Sequence, residues 1–100
     1  MVKHVILWKL KEEVIGEAKE KVLREMKDNL EALVGKVPGL LRLEIVTAPL
    51  ASSNADVMLE SELENEDALE RYQSHPDHVA VANTYVRPFT EVRLCMDYEA

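Results

Sequence analysis

The chain has 100 residues, 47% of them hydrophobic and 31% charged, which is the balance of one globular domain spanning residues 1–100. Twelve Lys and Arg against nineteen Asp and Glu give a net charge of −7, which disfavours binding to nucleic acid and to anionic membranes. Cys95 is the only cysteine, so neither an internal disulfide nor a cysteine-based zinc site is expected.

The longest apolar runs have only four or five residues, as in 5–8, whereas a membrane span needs about twenty. The first residues have the composition of a strand, and no signal-peptide pattern follows them. We therefore expect a cytoplasmic protein whose thiol stays reduced.

The first predicted element is a strand over 2–10, rich in β-branched and aromatic residues. One face of this strand carries Val2, His4, Ile6, Trp8 and Leu10. The other face carries Lys3, Val5, Leu7 and Lys9. Because both faces hold apolar residues, the pattern indicates a strand that is covered on both sides.

Residues 17–34 follow the periodicity of an amphipathic helix. Its apolar stripe consists of Val22, Met26, Leu30 and Leu33, widened by Leu23 and Val34. Gly35 is well placed for a left-handed C-cap, and Pro38-Gly39 prevents continuation of the helix.

Two further strands are predicted over 40–48 and 56–64, joined by a polar loop over 49–55. The first is expected to place Leu41, Leu43 and Ile45 on one side. The second is expected to place Val57, Leu59 and Leu63 on one side, with Met58, Glu60 and Glu62 on the other.

The second helical region is predicted in two pieces because Pro76 disfavours helical geometry in the residue before it. Asn65 is a suitable N-cap for a helix over 66–73, and a second piece is expected over about 77–86. A last strand over 91–98 places Val92, Leu94, Met96 and Tyr98 on one face.

The element order is β-α-β-β-α-β, which predicts an α+β, ferredoxin-like fold with a four-stranded antiparallel sheet and helices on one face. The face without helices is expected to carry Val5, Leu7, Val46, Met58 and Cys95. These are too many apolar groups to leave in water, and a second copy of the same sheet is the simplest cover. We therefore expect a symmetric homodimer.

Several segments together resemble the stress-responsive dimeric α/β-barrel (Dabb) domain family. They are MVKHVILWKLKEEV, GKVPGL, ALERYQSHPDHVAVA and the C-terminal VRLCMDYE. The VKH start and the Y-x-x-H-P-x-H-V run are the most specific parts. The resemblance covers nearly the whole chain and implies a dimer whose two sheets face each other in a barrel.

Most members of this family have no defined activity, some plant members are stress-induced proteins, and a few are polyketide cyclases. In the cyclase-type members a tyrosine and a histidine carry the chemistry, and these positions fall on Tyr72 and His78, while the N-terminal histidine falls on His4. The resemblance also implies a cation held by the main-chain carbonyls of Val34, Val37 and Leu40.

The residues themselves permit two interpretations. His78 could remove a proton next to a carbonyl as a neutral imidazole, with Tyr72 as a hydrogen-bond donor to the developing oxyanion and His4 orienting the substrate. The structural interpretation makes Tyr72 a core aromatic, lets His78 bond a backbone carbonyl, and uses His75 as a helix cap. A zinc site formed by the histidines is disfavoured because no carboxylate partner is evident.

Cys95 is interpreted as a small buried hydrophobe, and the absence of a Gly-rich phosphate loop predicts no nucleotide cofactor. The leading hypothesis is a homodimer that binds a small carbonyl-containing or aromatic metabolite in an apolar pocket. The alternatives are a cofactor-independent, cyclase-like lyase or isomerase using His78 and Tyr72, and a structural stress-response protein without catalysis.

Overall fold

The computed structural model describes residues 1–100 as four strands and three α-helices. In chain order these are β1 (Val2–Leu10), α1 (Gly16–Glu31), β2 (Leu40–Val46), β3 (Val57–Leu63), α2 (Glu66–Ser74), α3 (Pro76–Val81) and β4 (Thr90–Glu99). A π-helical turn, Ala82–Val86, and a 3₁₀ turn, Arg87–Phe89, connect α3 to β4. The predicted order is confirmed.

The four strands form one antiparallel sheet in the order β2-β3-β1-β4. Side chains of β1 alternate between the core and the other face, as a strand of period two requires. The buried stripe of α1, which consists of Val22, Met26 and Leu30, packs into the same core as the inward side chains of the sheet. The ferredoxin-like fold is therefore confirmed, and none of its helices has the length and apolarity that crossing a membrane would require.

Two buried polar residues, His4 and Ser61, lie within this otherwise apolar core. They are directly opposite each other on β1 and β3. The Ser61 hydroxyl donates to the backbone carbonyl of His4 at 2.9 Å, so the serine is satisfied without using the imidazole. The ring of His4 stays available for other partners.

The sheet surface without helices, here called the open face, has an apolar half and a charged half. The apolar half, here called the apolar patch, is formed by cross-strand neighbours on β1 and β4: Val5, Leu7, Val92, Leu94, Met96 and Tyr98. Leu94 and Met96 are 64% and 69% exposed. On the charged half, Arg42 forms ion pairs with Glu60 and Glu62 at 3.0 and 3.6 Å.

The prediction that Cys95 belongs to the open face is wrong. Cys95 lies directly opposite Ile6, a core residue, and residues opposite each other in an antiparallel pair point to the same face. Its predicted burial is also wrong, since the residue is exposed. The physical reason is the position of β4 at the sheet edge, where the helices do not cover the strand.

The predicted inward side of β2 is wrong at Leu41, which is 47% exposed. The register with β3 shifts between Leu40 and Arg42, so the strand bulges at Leu41. Leu40 takes the buried place, while Leu43 and Ile45 point inward as predicted.

The predicted second helical piece over 77–86 ends its α-helical part at Val81. The next residues continue as the wider π-helical turn Ala82–Val86, a local geometry that often marks functional sites. Asn65 caps α2 as predicted, because its side chain accepts from the backbone N–H of Ala68 at 2.8 Å.

Gly39 is fixed by both its backbone conformation and its surroundings. Its φ is +83°, and an added Cβ would lie 2.7 Å from the Cβ of Ala68 on α2. We expect Gly39→Ala to lower the free energy of unfolding by about 1–2 kcal/mol from the left-handed backbone and by about 1–3 kcal/mol more from the contact.

Gly35→Ala is the matched control, because Gly35 has φ +90° and an added Cβ would meet no atom within 4 Å. Urea unfolding should therefore show the larger loss for Gly39→Ala. Equal losses would show that the contact with Ala68 costs nothing.

Candidate functional site

A cavity of about 380 Å³ lies on the helix-covered side of the sheet. Its apolar walls are Ile6, Trp8, Leu30, Leu59, Ala82 and Val86. Its polar lining is His4, Gln73, His78, Arg87, Thr90 and Arg93. The volume suits a small organic molecule, and the lining is divided evenly between apolar and polar residues, so the cavity offers both an apolar wall and groups that could orient a ligand.

His4 reaches this cavity from the centre of β1, where it is almost fully buried. Its Nδ1–H donates to the carboxylate of Asp97, which lies opposite it on β4. A carboxylate at neutral pH only accepts, so Nδ1 carries the proton and Nε2 is the ring nitrogen left for a ligand. Asp97 was not anticipated from the sequence, since the pairing depends on the register between β1 and β4.

Tyr72 lies between the two imidazoles, with ring centroids 4.4 Å from His78 and 6.0 Å from His4. Its hydroxyl is buried and has no hydrogen-bond partner, which is costly for a polar group. Burial raises the pKa of Tyr72 above its usual value despite the charge of Arg93, so the phenol keeps its proton and can only donate or accept as a neutral group. The tyrosine is not among the residues that line the cavity.

His78 lies in the first turn of α3, two residues after Pro76. Its Nδ1 is 3.2 Å from the backbone carbonyl of Gln73, and since a carbonyl only accepts, Nδ1 donates. Burial lowers the pKa of His78 below its ordinary value of 6.5, although the bond to Gln73 opposes this shift. The neighbouring residues Arg87, His4 and Arg93 lower the pKa of His78 further. At neutral pH the ring is therefore neutral, and its Nε2 carries a free lone pair.

His75 does not join the site. Its Nδ1 accepts from the backbone N–H of Asp77 at 3.1 Å and so caps the start of α3. The structure thus brings together three of the four residues considered from the sequence, His4, Tyr72 and His78. It adds Arg87 and Arg93 from the elements that follow α3.

The side chains of His4, Cys95 and Asp97 offer ligand atoms within 4.8 Å of one another, a spacing that a transition metal could use. Partial desolvation by neighbouring groups, and then the charge of Asp97, raise the pKa of the Cys95 thiol, whereas a metal needs the thiolate. The positive charge of Arg93 lowers the pKa of this thiol and so opposes part of the increase. These groups fit a hydrogen-bonded cluster better than a cation site.

The predicted cation at the carbonyls of Val34, Val37 and Leu40 stays a prediction. The carbonyl of Val37 already accepts from the N–H of Leu40 at 3.2 Å. Three neutral oxygens are also fewer than the six or more that hard cations take, and the metal-type cluster of the chain lies elsewhere. The fit is poor, and the chemistry proposed for this protein does not use a cation.

Comparison with known proteins places the whole chain within one family. The sequence matches the family described as the Stress responsive A/B Barrel Domain (Dabb) over residues 2–100. A dimeric protein of unknown function with a ferredoxin-like fold from Bacteroides fragilis is 33% identical, with a TM-score of 0.91 over 99% of this chain and 95% of that one.

Two other solved structures share the fold at lower identity. A Dabb family protein from Mesorhizobium loti is 22% identical, with a TM-score of 0.76 over 99% of this chain and 95% of that one. The hydroxynitrile lyase of Passiflora edulis is 14% identical, with a TM-score of 0.78 over 97% of this chain and 90% of that one. No curated protein matches the sequence.

Proposed function

The chain belongs to the stress-responsive A/B barrel domain family, and from that premise we propose that it binds a small carbonyl-containing or aromatic metabolite in the cavity beside His4 and His78. There it would act as a cofactor-independent lyase or isomerase that moves a proton next to the carbonyl. The observation that carries the proposal is the position of His78 in the cavity wall with its Nδ1 held by a main-chain carbonyl, which leaves Nε2 free.

The proposed step begins with His78 as general base. Its Nε2 takes a proton from the carbon next to the carbonyl, and the C–H electron pair moves into a C=C bond as the carbonyl becomes an enolate. The imidazolium then returns the proton to another carbon or to a leaving group, so atoms and charge balance. Since Nδ1–H is fixed on Gln73, the lone pair of Nε2 is preorganised.

Tyr72 and His4 support the oxyanion in this proposal. The Tyr72 hydroxyl is a protonated donor without a partner, and a developing enolate oxygen that reached it would satisfy it. His4, held by Asp97, orients the carbonyl from the sheet side. Apolar walls such as Trp8 and Leu59 exclude water from this step and favour an aromatic or aliphatic body on the ligand.

The test uses small ketones, with phenylacetone as the reference because its benzylic protons lie beside both a ring and a carbonyl. Proton NMR in D₂O follows replacement of these protons by deuterium, and amide shifts in ¹⁵N-labelled protein report binding. We expect exchange faster than with the same concentration of free imidazole, and shifts centred on the cavity. Absence of both across the set of ketones would contradict the proposal.

The pH dependence of this exchange follows from the lowered pKa of His78. A lowered pKa keeps the basic, neutral form populated at lower pH than for a free histidine. The rate is therefore expected to be constant around neutrality and to fall on acidification with a midpoint below 6.5. A midpoint above 6.5, measured as the initial exchange rate at fixed ionic strength, would rule out His78 in this environment as the base.

We also propose that the protein is a homodimer in which two apolar patches meet. Large exposed side chains such as Leu94, Met96 and Tyr98 are unfavourable in water, and a two-fold axis would bury the patch of one copy against the same patch of another. The similar protein from Bacteroides fragilis is described as dimeric, and it shares a third of its sequence with this chain. The charged half around Arg42 would form the rim.

A structural stress-response protein without catalysis is the second candidate. It is favoured by one observation: Tyr72 contributes no surface to the cavity, as expected for a purely structural aromatic. Under this interpretation the dimer is the functional object, and neither ketone binding nor exchange is observed.

A further inference from the structure

The charged residues that line the cavity are positive, whereas the net charge of the chain is negative. The chain carries −7 overall, yet the formally charged residues that line the cavity are Arg87 and Arg93, and no Asp or Glu lines it. The two arginines come from different elements, the 3₁₀ turn after the π-helical turn and the edge strand β4. The fold therefore concentrates positive charge at one site of an acidic protein.

Neither guanidinium is neutralised within the protein. No carboxylate lies within 4.0 Å of Arg87 or Arg93, whereas Arg42 on the open face has three glutamate partners. Arg87 donates to the side-chain carbonyl of Asn83, a neutral group that positions the guanidinium without cancelling its charge. The carboxylate of Asp97 is engaged by His4.

Both arginines line the same cavity as His78, and Arg93 lies directly opposite Trp8, which is also part of the cavity wall. The charge of each arginine also lowers the pKa of His78. An anion held by these guanidinium groups would therefore share the cavity with the imidazole.

We propose that the ligand carries a carboxylate, held by Arg87 and Arg93, next to the carbonyl on which His78 acts. This inference rests on the proposed function and deepens it: the substrate class is a small keto acid with an apolar or aromatic body. A guanidinium donates two parallel N–H groups to a carboxylate, which fixes the orientation of the ligand as well as its charge. The apolar walls take the rest of the molecule.

The experiment compares phenylpyruvate with phenylacetone, which share the benzyl ketone and differ by a carboxylate in place of a methyl group. Binding to the wild-type protein is measured by calorimetry and by amide shifts. We expect phenylpyruvate to bind about tenfold or more tightly and its affinity to fall as sodium chloride is raised, while that of phenylacetone stays constant. Equal affinities for the two compounds would overturn the inference without any variant.

Variants then locate the anion site. Arg93→Gln and Arg87→Gln should each weaken phenylpyruvate binding by about tenfold. Arg24→Gln removes the same charge from an exposed position on α1 outside the cavity and should leave the affinity unchanged. If Arg24→Gln weakened phenylpyruvate binding equally, the net charge of the protein would explain the loss of affinity, and the proposed anion site at Arg87 and Arg93 would be overturned. Tighter binding of benzylphosphonate than of phenylpyruvate would overturn the assignment to a carboxylate.

The outcomes separate this inference from the proposed function. If both compounds bind with equal affinity and exchange their benzylic protons, His78 is supported as the base and the anion site is contradicted. If phenylpyruvate binds tightly through the arginines but does not exchange, the anion site is supported and the role of His78 as base is contradicted. If neither compound binds, both proposals are contradicted.

Discussion

His78→Gln is expected to lower the rate of ketone proton exchange by about 10²–10⁴-fold, the contribution typical of a positioned general base. Glutamine keeps a side-chain N–H that can donate to the carbonyl of Gln73, as Nδ1 of His78 does, but it has no basic nitrogen. The measurement is the initial rate of deuterium incorporation at pH 7, with ligand binding recorded on the same samples.

His75→Gln is the matched control. His75 lies three residues away, and its imidazole caps α3 outside the cavity. We expect this variant to lose some stability while keeping the wild-type exchange rate. Equal rate losses in both variants, or an unchanged rate in His78→Gln, would remove His78 from the chemistry.

Leu94→Asp is expected to convert the proposed dimer into monomers at micromolar concentration. Leu94 is the 64% exposed centre of the apolar patch, and burying a leucine contributes about 2–3 kcal/mol. Because an isologous interface contains the substitution twice, the loss is about 4–6 kcal/mol, or about 10³–10⁴-fold in the dissociation constant. Sedimentation equilibrium measures this directly.

Ile15→Asp controls for the loss of a surface aliphatic side chain. Ile15 is 68% exposed and is the N-cap residue of α1, a helix that packs on the opposite side of the sheet from the apolar patch. It should leave the dissociation constant unchanged. If Leu94→Asp stays dimeric, or if the wild-type protein is already monomeric, the apolar patch is not the dimer interface.

Much of the fold could be predicted because hydrophobic periodicity reports directly on burial. β1 has the predicted bounds, and the buried stripe of α1 and the cap at Asn65 follow from local patterns. Leu41 could not be assigned correctly, because a β-bulge shifts the alternation of buried and exposed residues, and no residue type in the sequence signals this bulge. Helical periodicity also does not distinguish the π-helical turn after Val81 from a continuing α-helix.

The candidate site also contains residues that could be predicted from the sequence and residues that could not. His4, Tyr72 and His78 can be selected from the few residues with suitable chemistry and from family resemblance, and they do converge. Asp97 and Arg93 were missed because only the register between β4 and β1 places Asp97 opposite His4 and Arg93 opposite Trp8 in the cavity wall. Alternation along β4 places Arg93, Cys95 and Asp97 on one face of the strand. Because Cys95 was assigned to the open face, this face could not be connected with His4 from the sequence.

The central claim is that His78 presents a free Nε2 to a ligand in the cavity. Long-range ¹H–¹⁵N spectra of the histidine rings at pH 7, with and without phenylacetone, test it most directly. The predicted result is a neutral His78 protonated on Nδ1, with a ¹⁵N shift at Nε2 that moves when the ketone is added while His75 does not respond. A proton on Nε2, or a His78 resonance indifferent to ketones that bind the protein, would contradict the account.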